Sequence, residues 1–425
     1  MKKINNYIKE NLNKIISIFI LMSPILDLLV SISINIFHHN LNIGIIFRML
    51  FLLFIYYVSV ILYHKKKNLI YIFLCLIYLC VYLFIQFDNT LMPNLHGFMR
   101  TFYFPILLLG IFSIHDEIKI ERRVLLGTVF TYILLIFIPV ITKTGFDSYS
   151  VAKIGSTGWY NSTNEISGII SIILPFIFIE LMKKEKIIIK TLLAILFLYV
   201  ISEMGTKTPI LSLLIVIIMT TIYLLVKVIK NKNYKALTII LLTITTFTVA
   251  SVIVVPKTNF YKNIKIHAKY LKLNSVKDIF TSEYVFDHFI FSQRISFYEK
   301  AAERYEKTTP SKKVFGMGYT SKANKNYKEI EIDYYDIWYN HGLIGFILFF
   351  SVYFYVLYYV FKNIPKKIEY DNYMKYTSLV LILILSLFSG HIITTPAVSL
   401  FSVIILIDLV NVKECKKIKK KNISI

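Results

Sequence analysis

A chain of 425 residues that is 56% hydrophobic and 16% aromatic, with only 14 Gly and 10 Pro, is neither a disordered polymer nor an ordinary soluble domain. Its apolar windows of about 20 residues are each long enough to cross a hydrocarbon core of roughly 30 Å, and they are continuously apolar rather than alternating, which excludes a closed β-barrel. The net charge of +23 does not point to nucleic acid, because much of the lysine falls in short loops and tails between the apolar runs, where it has a topological cause.

The predicted elements are helical spans throughout. The N-terminal stretch has a basic head and an apolar run that continues past Leu29 without a small-residue cleavage site, so it reads as an uncleaved first span. Twelve spans are expected, near 14–37, 43–63, 69–87, 97–114, 124–142, 165–182, 187–203, 208–229, 236–256, 338–362, 374–391 and 395–412. Numbered alternately, the gaps separate by charge: 64–68, 119–123, 183–186, 227–235, 362–367 and both termini are lysine- and arginine-rich, whereas 37–42, 88–94 and 391–396 carry almost none. The positive-inside rule makes the basic set, and with it both termini, cytoplasmic. The chain then divides into nine spans (1–256), a large extracytoplasmic loop (257–337), three spans (338–412) and a basic cytoplasmic tail (413–425) suited to anionic inner-leaflet lipid. The loop holds 15 basic and 10 acidic side chains, and its basic excess is no contradiction because the charge rule does not govern a loop that long. Within it, 284–307 has a helical mix of apolar and charged positions, ended by "TTPSKK". The other long exterior segment, 143–164, contains an N-glycosylation pattern at Asn161, beside which Trp159 and Tyr160 are expected to act as an interfacial aromatic anchor.

Charges inside spans are informative because an Arg, Lys or Asp at a helix centre costs roughly 2.5–3.5 kcal/mol on insertion scales. Arg48, Arg100, Glu203 and Lys207 all fall toward the outer ends of their spans, Asp27 lies nearer mid-depth, and Asp336 leads into the tenth span. Glu180 and Asp408 approach the inner face, where lysines can pair with them. Each alone reads as a snorkelling side chain or an interhelical salt bridge. Their convergence near the outer leaflet, facing a basic loop, reads as a site for a negatively charged group at the membrane surface, since guanidinium binds two phosphate oxygens at once. Three carboxylates, Glu331, Asp333 and Asp336, stand immediately before the tenth span and admit three readings. They are a general base with its supporting acids, charges favouring the helix dipole, or oxygen ligands for a hard cation. The cysteines give no disulfide framework and the histidines no metal-ligand spacing.

The segments "SPILDLL" (23–29), "STGWYNSTNEISGIISIILP" (156–175), "GTKTPILSLL" (205–214), "FSQRISFYEKAAERY" (291–305), "VFGMGY" (314–319) and "EIDYYDIWYNHGLIGF" (331–346), in this order and with this topology, resemble the O-antigen ligase and O-antigen polymerase superfamily in its Gram-positive-type branch. The resemblance implies an all-α polytopic membrane protein of GT-C-like architecture in the cytoplasmic membrane. It implies a metal- and cofactor-independent glycosyltransferase that takes an undecaprenyl-diphosphate-linked glycan donor and a glycan acceptor. Carried onto this chain, Arg294, Lys207, Arg100 and Arg48 would hold the diphosphate. Glu331 would be the general base or acceptor-orienting residue, with Asp333 and Asp336 in support. The chain departs from the ligase pattern in two places: Lys207 stands where many members have Arg, and Glu331 stands where ligases carry a His eleven residues before the Gly of "GLIG". A capsule or cell-wall polysaccharide polymerase is the leading expectation, with a ligase or a lipid-oligosaccharide flippase as alternatives.

Overall fold

The structure, a computed structural model, describes residues 2–38, 43–87, 91–149, 154–183, 185–232, 235, 238, 254–319 and 328–413. In chain order its helices are α1 (Lys2–Asn35), α2 (Ile43–Tyr56, continued in π geometry through Tyr57–Leu62), α3 (Asn68–Ile85), α4 (Leu91–Phe112), α5 (Arg122–Thr142), α6 (Thr163–Leu181), α7 (Ile187–Met204) and α8 (Lys207–Lys230). There follow α9 (Asn259–Tyr270), α10 (Glu283–Phe286), α11 (Arg294–Glu306), α12 (Pro310–Phe315), α13 (Asp333–Lys362), α14 (Tyr370–Phe388) and α15 (Pro396–Val410). Among the described residues nine of these, α1 to α8 and α13, are long and apolar enough to cross a membrane. They correspond to the first eight predicted spans and the tenth, so the protein is an all-α polytopic membrane protein. The predicted ninth span, 236–256, falls almost entirely outside the described residues. The strands among the described residues lie in the 143–164 segment. They form an antiparallel hairpin of β1 (Phe146–Tyr149) and β2 (Ile154–Gly158), with Asp147 opposite Ser156.

The last predicted span falls on α15. α15 has 15 residues, which as a helix reach about 22 Å and fall short of a hydrocarbon core of roughly 30 Å. Fourteen of the fifteen are buried, the exception being Asp408, which pairs with Lys375 of α14 at 2.7 Å. α15 is apolar almost all round and packs against α4, α6, α13 and α14, which places it inside the helix bundle. The lipid-facing role falls to the outer helices, where Phe84 of α3 and Ile188 of α7 are largely exposed.

α13 is two helical pieces. Gly342 has φ 64° and ψ −171°, so Asp333–His341 is bent away from the apolar run that follows. That conformation belongs essentially to glycine, and a Cβ at Gly342 would lie 2.3 Å from the Gly316 nitrogen. Backbone bonds across this bend, Met317 N–H to the Tyr339 carbonyl at 2.9 Å and Gly318 N–H to the Asn340 carbonyl at 3.1 Å, seat the "VFGMGY" segment on the short piece. Gly342→Ala is expected to lower stability by about 3 kcal/mol. The check is the yield of monodisperse protein by size-exclusion chromatography in detergent, beside Gly127→Ala on the face of α5.

Candidate active site at the convergent helix N-termini

The N-terminal ends of α2, α4, α6, α8, α13 and α15 lie at one end of the bundle, and the motif segments meet there. These ends carry the positive poles of the helix dipoles, so anionic groups are favoured before any side chain is counted.

Arg294 is the first residue of α11. The helix expected over 284–307 is interrupted, because Ser292 and Gln293 adopt left-handed φ values of 56° and 71° and separate α10 and its π extension from α11. The break lets Asp287 fold back over the new N-terminus. It accepts the Ile295 N–H at 2.9 Å, the Ser296 N–H at 3.0 Å and the Ser296 hydroxyl at 2.5 Å. An arginine at the positive pole of a helix is unfavourable by itself, and the Asp287 carboxylate offsets that cost. Arg294 then reaches the two loops that carry Glu331 and Ser389. Its Nη2 donates to Glu331 Oε2 at 3.0 Å and to the Ser389 carbonyl at 3.1 Å, and its Nε to the Glu331 carbonyl at 3.0 Å.

Lys207, the first residue of α8, donates to the Phe289 carbonyl and lies 5.4 Å from the centre of the Phe289 ring. It forms no carboxylate pair among the described residues. Its position is clamped by Asn263 Nδ2 donating to the Gly205 carbonyl at 3.1 Å and by Thr208 against the Ser389 hydroxyl at 3.0 Å. Lys328 stands 3.7 Å from Glu331 Oε1. Glu331 and His391 both have φ 62°, a cost borne by non-glycine residues chiefly where function or packing imposes it. Between them Gly390, at φ 65°, passes so close that a Cβ would sit 2.2 Å from the Glu331 carbonyl oxygen.

The remaining two acids of the triplet face inward. Asp333, fully buried, accepts the backbone N–H groups of His391 at 2.6 Å, Ile392 at 2.9 Å and Ile393 at 2.9 Å, and the Thr394 hydroxyl at 2.6 Å. It fastens the 389–395 loop to the start of α13. Asp336 accepts the Ile330 N–H at 2.9 Å and so closes the turn that presents Glu331.

Arg48 and Arg100 sit in a neighbouring region. Arg48 pairs with Asp27 at 2.5 Å, and Tyr132 donates to the other Asp27 oxygen at 2.6 Å. Arg100 pairs with Glu329 at 2.6 Å and stacks under Tyr319, 5.6 Å from the ring centre, while its buried Nε has no hydrogen-bond partner among the described residues. Tyr319 is held by Thr101 at 3.0 Å and His341 at 3.2 Å, and burial pushes its phenol up to about 12, so it stays neutral. Both arginines face a cavity of ≈250 Å³ whose walls include Asp27, His96, Glu165 and Pro396. A second cavity of ≈390 Å³ adjoins it and shares Arg100, Asn161, Ser162 and Glu165, with His391 and Thr395 on its far side.

The predicted residues therefore form two adjacent groups, Lys207–Arg294–Glu331 and Arg48–Arg100, joined by the 389–391 turn. Glu165, Glu329, His96, Tyr319 and His391 were not foreseen as members. Tyr160, expected as an interfacial anchor, is instead a core residue: it is buried against Tyr132 and donates to the Pro24 carbonyl at 3.2 Å. Glu180 lies 2.6 Å from Lys183 and 3.8 Å from Arg122, and Asp408 pairs as described, at the opposite ends of their helices.

No curated protein matches the chain. The family model described as "O-antigen ligase like membrane protein" matches residues 9–279 and 274–415, nearly the whole length, and the chain belongs to that family of membrane glycan-processing enzymes.

Proposed function

We propose that the protein is a glycosyltransferase that polymerises undecaprenyl-diphosphate-linked oligosaccharide repeats at the outer face of the cytoplasmic membrane, producing a capsule or wall polysaccharide. The observation that carries this reading is the pairing of Lys207, which has no carboxylate partner among the described residues, with the Arg294 fork, beside a polar cavity at convergent helix N-termini. In this reading both termini are cytoplasmic and the 257–337 segment faces outward, as the loop charges require.

A lipid diphosphate is a fair leaving group, so catalysis needs charge stabilisation as the anomeric C–O bond breaks and a proton acceptor for the incoming hydroxyl. Lys207 and Arg294 hold the diphosphate. Arg48 and Arg100, unlike Lys207 and Arg294, line the two cavities, so we assign them to sugar hydroxyls rather than to phosphate. Glu331 orients the Arg294 fork and the acceptor, while Asp333 and Asp336 hold the loops that carry the site. This chemistry uses no metal or cofactor.

Removal of the protein from its host is expected to accumulate single, unpolymerised repeats on the lipid carrier, read by mass spectrometry of extracted lipids. Accumulation of full-length lipid-linked chains would make it a ligase. In liposomes, translocation of the lipid-linked repeats without lengthening would make it a transporter.

A further inference from the structure

We propose that Glu165 takes the proton from the acceptor hydroxyl, and that the cavity it faces is the acceptor-sugar pocket. The assignment rests on the transferase reading above and names the group that reading leaves open.

Availability is the first argument. The other acids of the site are committed: Asp27 to Arg48 and Tyr132, Glu329 to Arg100, Glu331 to Arg294 and Lys328, Asp333 to three backbone N–H groups, and Asp336 to Ile330. A carboxylate held by a guanidinium is a poor base, because the cation stabilises its charged form. Glu165, third residue of α6, makes no hydrogen bond or ion pair among the described residues and is only half-buried. Its oxygens are free for an incoming hydroxyl.

Placement is the second. Glu165 is in the wall of both cavities, and the larger, ≈390 Å³, lies within the range of about 300–1,000 Å³ usual for small-molecule sites. Charged groups from four other segments act on it: Asp27 of α1, Arg48 of α2, Arg100 of α4 and His391 from the loop before α15, with His96 in the same wall. Because Arg48 and Arg100 are paired, this pocket is close to neutral and rich in hydrogen-bonding groups. That suits a polyhydroxyl acceptor better than a diphosphate.

Continuity is the third. His391 is two residues from Ser389, whose carbonyl receives Arg294, so at most about 7 Å of backbone separates the two groups. The acceptor oxygen forms the new glycosidic bond to the anomeric carbon of the donor as the anomeric bond to the diphosphate breaks. The bonding pair leaves with the lipid diphosphate, held by Lys207 and Arg294, and the acceptor proton passes to Glu165, which later releases it to water.

The test uses full-length protein in liposomes, supplied with the lipid-linked oligosaccharide extracted from cells lacking the protein, and undecaprenyl diphosphate as a binding probe. Glu165→Gln is expected to lower kcat by 10²-fold or more while KM and undecaprenyl diphosphate affinity stay within about threefold, and Glu165→Asp is expected to recover at least a tenth of the wild-type rate. The assignment is overturned if E165Q turns over within threefold of wild type, or if E165Q and E165D lose probe binding and thermal stability together, which marks a structural role. It is likewise overturned if His391→Gln alone removes turnover and E165Q does not, which moves the base to the imidazole. In each of these cases the transferase reading stands as long as wild type lengthens chains. A wild-type protein that neither binds the probe nor lengthens chains removes that reading and this assignment with it.

Discussion

Arg294→Ala is expected to reduce chain lengthening about 10³-fold and to weaken undecaprenyl diphosphate binding. Losing one donor aimed at developing charge costs about 10²–10³ in rate. Arg294 is also the guanidinium whose charge acts on Lys207, and Glu331 at 3.0 Å and the Ser389 carbonyl at 3.1 Å hold it in place. Arg294→Lys keeps the charge without the planar fork and is expected to recover little. Glu331→Gln leaves the cation in place but loosens it, so the expected loss is smaller, about tenfold. Because Arg294 also ties two loops to α11, thermal unfolding of each variant in detergent must accompany the rates. An R294K protein as stable as wild type but still impaired locates the defect in phosphate recognition. An R294A protein with normal lengthening removes Arg294 from the mechanism.

The spans were legible because lipid imposes the plainest sequence rule, a long apolar run, and the cations were legible because their cost in lipid makes them conspicuous. What the pattern of apolar residues does not encode is pairing between distant segments. Asp27 and Arg48 read as two expensive residues on different helices, and only packing of α1 on α2 turns them into one ion pair shared with Tyr132. Gly342 reads as an ordinary small residue in "GLIG", although its positive φ decides that the acids ahead of it belong to a separate helical piece. The "NEISG" segment carried its own signal, an acid at the threshold of an apolar run. Its importance emerges only once α1, α2 and α4 close a cavity around it and every neighbouring acid proves to be occupied. The 395–412 run has the composition of a span, but that its helix is surrounded by α4, α6, α13 and α14 is not written in its own residues.

Asp333 supplies the largest structural effect to be expected. In Asp333→Ala three backbone N–H groups, of His391, Ile392 and Ile393, and the Thr394 hydroxyl lose their acceptor in a fully buried setting. Each stranded donor costs about 1–3 kcal/mol, so the loss is on the order of 5 kcal/mol unless the loop rearranges or water enters. Asp333→Asn is nearly isosteric but offers a single acceptor oxygen and directs an amide toward N–H groups, so it is expected to recover only part. Rearrangement is the functional consequence: the 389–391 turn would take the Ser389 carbonyl from Arg294 and His391 from the cavity wall, separating the two halves of the site. The expected result for D333A is therefore low yield, a lowered unfolding temperature and no lengthening activity, whereas an Arg294 variant loses activity without a comparable loss of fold. An Asp333→Ala protein of full stability and activity would show that the loop is held by other contacts and that the two groups of residues do not depend on Asp333 for their meeting.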